Sequence, residues 1–256
     1  MSGVNWKSVF CLPSDALAGE RRIPKVVMVR QASLTKTEQK VLDKVAAIRH
    51  FATVQKSTTR ILPTVDAERD IQSIVFLVCE MAGSSAYAEV AGLIHKCFPN
   101  PTVLLLEGEG EVCVSVSITR KSLAERGAVV VDEVQASGAF EFDGSLVESF
   151  LASLAFDGLP QSDLFAYVGA LAWNVRVFRA AESLGFYPQC NEADRNLLES
   201  LLTNWDELEK QASDLRKRWR NPGLSLNESA GLRIELKRCE KELAQVGSEI
   251  REICYE

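Results

Sequence analysis

Histidine is scarce in this chain of 256 residues: His50 and His95 are the whole supply. So few imidazoles leave little that exchanges protons near neutral pH, which disfavours histidine-based acid–base, nucleophilic or metal chemistry. A zinc site needs three or four Cys, His or carboxylate ligands at suitable spacing. None of the seven cysteines (11, 79, 97, 113, 190, 239 and 254) forms a Cys-x-x-Cys pair, and His95 and Cys97 would point in different directions on a helix. Their odd number points to reduced thiols in a cytosolic protein, and no metal or cofactor is expected. The Gly-x-x-x-x-Gly-Lys-Ser/Thr phosphate loop and the Gly-x-Ser-x-Gly nucleophile elbow are missing as well. The nearest glycine fingerprint, Gly108-Glu109-Gly110, lies between two predicted strands, and its flanking glutamates would repel a pyrophosphate; it reads as a turn. Met1–Leu12 is too short an apolar stretch for a signal peptide. Leu164–Ala181 is interrupted by Asn174, Arg176 and Arg179, which would be costly in a bilayer. A cytoplasmic protein that does not enter membranes is therefore expected.

What is present is core-forming material. Apolar residues make up 46% and charged residues 25%, which excludes intrinsic disorder and a small disulfide scaffold. Acidic side chains outnumber basic ones, 35 to 29, for a net charge of −6. That balance argues against wholesale coating of DNA or an anionic membrane, while leaving room for local basic stripes.

Periodicity divides the chain. Residues 1–33 read as irregular. Thr35 and Glu38 stand at capping-box spacing ahead of Val41, Leu42 and Val45, predicting a helix over 35–46. Ala47–Gln55 and Ile71–Met81 are β-rich, the latter apolar enough for a central strand covered on both faces. Ser57–Ile61 reads as a further short strand. Tyr87, Val90, Ala91, Ile94 and Phe98 mark an amphipathic helix, stopped by Pro99 and Pro101. Thr102–Leu106 and Val112–Ile118 read as a strand pair joined by the glycine turn, the second with one wetter face because its valines alternate with Cys113, Ser115 and Ser117. Val129–Val134 and Ala139–Phe142 continue the β pattern. Leu146–Phe156 and Leu164–Leu184 read as helices, the second a core helix.

The clearest pattern comes last. Leu198, Leu201, Trp205, Leu208, Ala212, Leu215 and Trp219 repeat in a 3-4 rhythm, as do Leu232, Leu236, Cys239, Leu243, Val246, Ile250 and Ile253. Asn221-Pro222-Gly223 breaks the two runs, and Ser225 and Glu228 then stand at capping-box spacing. Two long helices in an antiparallel coiled-coil hairpin are expected, each reaching about 40 Å at 1.5 Å per residue. The fold class is thus α+β: a mixed β-sheet body with flanking helices over 1–185, then a C-terminal helical hairpin over 190–256.

Candidate chemistry is thin, and no catalytic residue is assigned. Gly83-Ser84-Ser85 precedes a helix and reads as an N-cap. Cys79 and Cys113 would need His50 brought to them by tertiary structure. A divergent metal-dependent nuclease would have to draw on Glu80, Glu107 or Asp70, whereas Glu235-Leu236-Lys237 lies on the hairpin as solvated charge. Basic residues offer more: Arg216, Lys217, Arg218 and Arg220 end the first hairpin helix, and Arg21, Arg22 and Lys25 lie near the start. They are the candidate nucleic-acid contacts, although cations at a helix C-terminus are also favoured by the helix dipole.

Several pieces in order carry a resemblance. These are Ile23-Pro24-Lys25, the Leu34-Thr35 helix, the strand and polar turn Ile48–Ile61, the strand Asp70–Met81, and the helix ending Phe98-Pro99 with Val103–Leu106 after it. The last is Leu224-Ser225-Leu226-Asn227 before a leucine-rich helix. Together they resemble the bacterial and archaeal family known as domain of unknown function 4391. The chain departs from that pattern at His50, where tryptophan is usual, and at Arg60, where asparagine is common. Its basic tract is also shortened to Arg216–Asn221. The resemblance implies no enzyme activity. It implies company, because such proteins are often encoded beside a DNA methyltransferase and a superfamily 2 helicase in restriction-like antiphage loci. The expected function is an accessory, non-catalytic subunit of a DNA-modification or defence complex, with the helicase or methyltransferase as protein partner and DNA as a further contact. The alternatives are the divergent nuclease and a homodimeric coiled-coil scaffold.

Overall fold

The strand that is almost wholly apolar after Ser73 does lie at the centre of a sheet. In the computed structural model, which describes residues 4–83, 86–125, 127–221 and 223–254, β5 (Ser73–Met81) runs between β2 (Val45–Gln55) and β6 (Thr102–Glu107). The full order is β1-β2-β5-β6-β7-β8, with β1 spanning Leu17–Arg22, β7 Glu111–Lys121 and β8 Val129–Ala136; β9 (Phe140–Glu141) also pairs with β7. Among the described strands of this sheet only β5 and β6 pair in parallel, joined by the crossover helix α5 (Tyr87–Cys97). A separate two-stranded ribbon is made by β3 (Thr64–Val65) and β4 (Asp70–Ile71). The chain divides into two compact units, Met1–Arg179 and Ala180–Glu256.

Both faces of the sheet are covered, each by the residues its period-2 pattern presents. On one face Leu77, Cys79, Leu104, Leu106 and Cys113 pack in a core with Val90 and Ile94 of α5. Met28 of α2 (Lys25–Gln31) and Leu42 of α3 (Lys36–Leu42) join it. The capping box forms at Thr35, and the Glu38 carboxylate also accepts a hydrogen bond from Lys96 at 2.6 Å, tying the start of α3 to the end of α5. On the other face an aromatic core gathers. Phe10 of α1 (Trp6–Phe10) meets Phe76 edge-on at 5.2 Å. Phe150 of α6 (Ser145–Ser153) stacks on Phe178 of α7 (Leu164–Leu184) at 4.2 Å.

Four expectations fail for identifiable reasons. The helix predicted over 35–46 ends at Leu42, because Val45 is taken into the ladder of β2 opposite Met81. The first 33 residues are not irregular: α1, β1 and α2 form there, and Trp6 and Phe10, one helical turn apart, are both buried. Ser57–Ile61 is no strand. Lys56–Thr59 forms the short helix α4, because the Thr58 and Thr59 hydroxyls bond back to the Gln55 carbonyl and favour a turn over a ladder. Arg60 ends it in the left-handed region, φ +66°. Finally, the serine face of β7 is not wet. Ser115, Ser117 and Thr119 are buried; Ser115 Oγ donates to the Gln135 carbonyl at 3.0 Å, and Ser117 Oγ accepts from the Thr102 amide at 3.1 Å.

The β6–β7 turn shows why its glycines are needed. A Cβ on Gly108 would lie 2.0 Å from the Tyr87 hydroxyl, and Gly110 adopts φ +83°.

The second unit holds the end of α7 and two long helices, α8 (Arg195–Trp219) and α9 (Leu226–Ile253). They run antiparallel: Trp219 Nε1 donates to Ser229 Oγ at 3.1 Å, the Cys239 thiol to the Leu208 carbonyl at 3.3 Å, and Trp205 lies against Gly247. Ser225 and Glu228 complete their capping box. Leu198, Trp205, Leu208, Leu232, Leu236, Val246 and Ile250 are buried, Leu201, Leu215 and Leu243 are half-buried, and Trp219 remains 44% exposed. Leu202, outside the 3-4 rhythm, is buried too.

Candidate functional site

Parallel neighbours end level with each other, so residues in register at their carboxyl ends come together. On β5 and β6 these are Glu80 and Glu107. Of the three carboxylates weighed for metal binding, the fold therefore unites two; Asp70 lies on β4, in the other sheet, beside Gln72. The pair is not open. Arg49 reaches across from β2, pairing with Glu80 through one guanidinium nitrogen and with Glu107 through another at 3.8 Å. Trp6 Nε1 donates to the other Glu107 oxygen at 2.7 Å. A cavity of about 340 Å³ adjoins this cluster, lined by Asn5, Trp6, Lys7, Arg49, Phe51 and Glu107 among others. A guanidinium between two carboxylates supplies one of the two positive charges that a divalent ion would otherwise bring. Among the described residues no group of three His, Cys, Asp or Glu side chains is placed to hold a metal.

Neither Arg49 nor Trp6 was legible as part of a site. The available signal was an arginine beside His50 inside a β-rich run and a tryptophan ahead of the first predicted helix.

The histidines meet hydroxyls, not thiols. His50 Nε2 lies 2.7 Å from Thr53 Oγ1 and 3.1 Å from the Ala52 carbonyl. Its pKa is lowered, chiefly by burial, with Arg21 adding to the effect and the Ala52 bond opposing it. His50 pairs in register with Leu77, whereas Cys79 pairs with Ile48, so β2 does not bring imidazole and thiol together. Burial also pushes the Cys79 thiol far up and Cys113 to about 11, which leaves little thiolate for attack. His95 Nε2 lies 2.9 Å from Ser115 Oγ, whose own proton goes to the Gln135 carbonyl at 3.0 Å. That assignment makes His95 the donor and leaves Nδ1 as a buried, unpartnered acceptor. Ser115 itself is fully buried, so the pair is a structural bond beneath α5.

The basic candidates fall in different units. Arg21 and Arg22 are exposed at the end of the edge strand β1, where charge also discourages strand addition, and Lys25 opens α2 half-buried. Arg216, Lys217, Arg218 and Arg220 are exposed around the end of α8. Arg216 pairs with Glu240 at 2.9 Å and Lys217 with Asp214 at 3.4 Å.

Comparison with known families decides the assignment. The family described as "Domain of unknown function (DUF4391)" matches residues 10–243. The chain belongs to the DUF4391 family. The match spans the sheet, α2 to α8 and most of α9, so in this DUF4391 chain the family region includes Arg49, Glu80 and Glu107 and the basic end of the hairpin, while Trp6 precedes it. No curated protein and no solved structure matches the chain. Two positions singled out in the sequence acquire geometry: Arg60, at φ +66°, occupies a left-handed position that asparagine tolerates better, and His50 is half-buried against Thr53. No helix among the described residues is long and apolar enough to cross a membrane.

Proposed function

We propose that this DUF4391 protein is an accessory, non-catalytic subunit of a DNA-modification or antiphage defence complex, binding a helicase or methyltransferase and touching DNA. What carries the reading is the occupation of the strand-end carboxylates. Where a nuclease would keep Glu80 and Glu107 open to a metal ion, Arg49 and Trp6 engage them. The hairpin supports a contact role, since Ile234 is 70% exposed and Leu197 49% on an otherwise amphipathic pair of helices. The company implied by the family supports the choice of partners.

Co-expression with the products of neighbouring genes and size-exclusion chromatography test it. A complex that persists at micromolar concentration is the expected result; clean separation sinks the reading. Light scattering on the isolated chain tests the homodimeric coiled-coil scaffold in the same experiment, because that reading requires a stable dimer without any partner.

A further inference from the structure

We infer that one flank of the hairpin, in the half next to its turn, is a nucleic-acid backbone contact, with Trp219 at its end offering a ring for a base to stack on. This deepens the DNA part of the proposed function and rests on it for the choice of ligand. Charge is strongly segregated along the two helices. Residues 214–241 carry eight basic and four acidic side chains, whereas 180–213 carry two basic and seven acidic. The whole-chain charge of −6 hides this polarity.

The heptad positions place the cations on a common side. Arg216 follows seam residue Leu215, and Arg220 follows Trp219; on α9, Arg233 follows Leu232 and Lys237 follows Leu236. In an antiparallel pair, the flanks that follow the seam adjoin each other. The Arg216–Glu240 ion pair bears this out, because Glu240 follows seam residue Cys239. Arg216, Arg220, Arg233 and Lys237 therefore share one flank, each helix presenting two cations four residues, about 6 Å, apart. Arg216 is paired with Glu240, whereas Arg220, Arg233 and Lys237 hold no ion pair among the described residues, nor do Arg218 and Lys241. Uncompensated cations beside an exposed aromatic ring are the combination that binds polynucleotide backbones and stacks unpaired bases.

The test uses the full chain and fluorescein-labelled DNA of about 20 nucleotides, single-stranded or duplex, in anisotropy titrations from about 50 to about 300 mM KCl. The Arg220→Ala/Arg233→Ala/Lys237→Ala variant is expected to bind at least about tenfold more weakly, with the slope of log K against log salt reduced by about 2. Its circular dichroism should be unchanged, because all three side chains lie off the seam. Lys36→Ala/Lys40→Ala, at exposed positions of α3 in the other unit, should stay within about twofold of wild type. Trp219→Ala should weaken single-strand binding about fivefold or more while Trp219→Phe largely restores it, with duplex binding little changed. Wild type that fails to bind at low salt, or a triple variant that binds as well as wild type, overturns the site. Equal losses on both DNA forms overturn the stacking role. Failure of partner co-purification with DNA binding intact would sink the accessory-subunit reading and leave this site standing.

Discussion

Burying an imidazole beneath a helix couples stability to pH. The His95 pKa is held at about 4, against an ordinary 6.5, because burial penalises the imidazolium. The unfolded chain therefore takes up a proton at this residue that the folded chain refuses between those values. The neutral ring's contribution is fully present above pH 6.5 and is lost as pH falls towards 4. A shift of this size corresponds to about 3 kcal/mol. Urea unfolding at pH 7 and pH 5 should show a loss that His95→Leu reduces; equal slopes in both proteins would refute the assignment. Arg60 offers a gain instead. Its left-handed backbone is exposed and costs a side-chain-bearing residue about 1 kcal/mol, so Arg60→Gly is expected to raise stability by up to about that amount in the same assay. An Arg60→Gly variant less stable than wild type would mean that the arginine side chain contributes more than the backbone strain removes.

The two long helices separate what spacing alone reveals from what it does not. The second of them, α9, carries two glycines within its length, each of which sacrifices about 1 kcal/mol of helix propensity relative to alanine. A Cβ at Gly231 would meet open space, whereas one at Gly247 would lie 3.1 Å from the Trp205 ring. Gly231→Ala should therefore raise the melting temperature, and Gly247→Ala should gain less or lose; equal gains would mean that the ring moves aside freely. The hairpin was legible because its heptads repeat over many turns and its breaker and capping box agree. The central strand and α5 were legible for the same reason: long segments with one period. The short elements were not. In Lys56–Thr59 the decision lies with threonine hydroxyls competing for the backbone, and in Trp6–Phe10 with distant aromatics, Phe51 and Phe76 against Phe10 and Phe142 against Trp6. The serines of β7 misled for a related reason, since what covers a sheet face is a tertiary fact. Of the site, the glutamates and the basic end were visible as residues. The clamp on the glutamates was not, because Arg49 and Trp6 are brought to them by strand order and by a contact between residues 101 positions apart.

Across the whole molecule, the features that bear on catalysis and on nucleic-acid contact belong to different compact units: Glu80, Glu107 and Arg49 to the first, the cationic flank to the second. Substitutions in one should leave the other's behaviour intact, because coupling is expected for residues that share partners. Arg49→Ala is the decisive case. It removes the charge held between two carboxylates, one of them largely shielded, and should cost about 1–3 kcal/mol of stability as the carboxylates repel. It should also expose a divalent-cation site, so that the variant binds Mn²⁺ more tightly than wild type in paramagnetic resonance titrations while DNA affinity in anisotropy stays within about twofold. Ca²⁺ or Mn²⁺ in the assay buffer should then recover part of the variant's lost stability, by mass action on the folded state. Wild type that takes up Mn²⁺ as readily as the variant, and cleaves DNA with it, would instead mean that Arg49 is displaced by metal and that the chain is the divergent nuclease. If the guanidinium holds its place against the ion, the cluster is a neutralised strut at the carboxyl ends of β5 and β6. The work of the protein then falls to its surfaces.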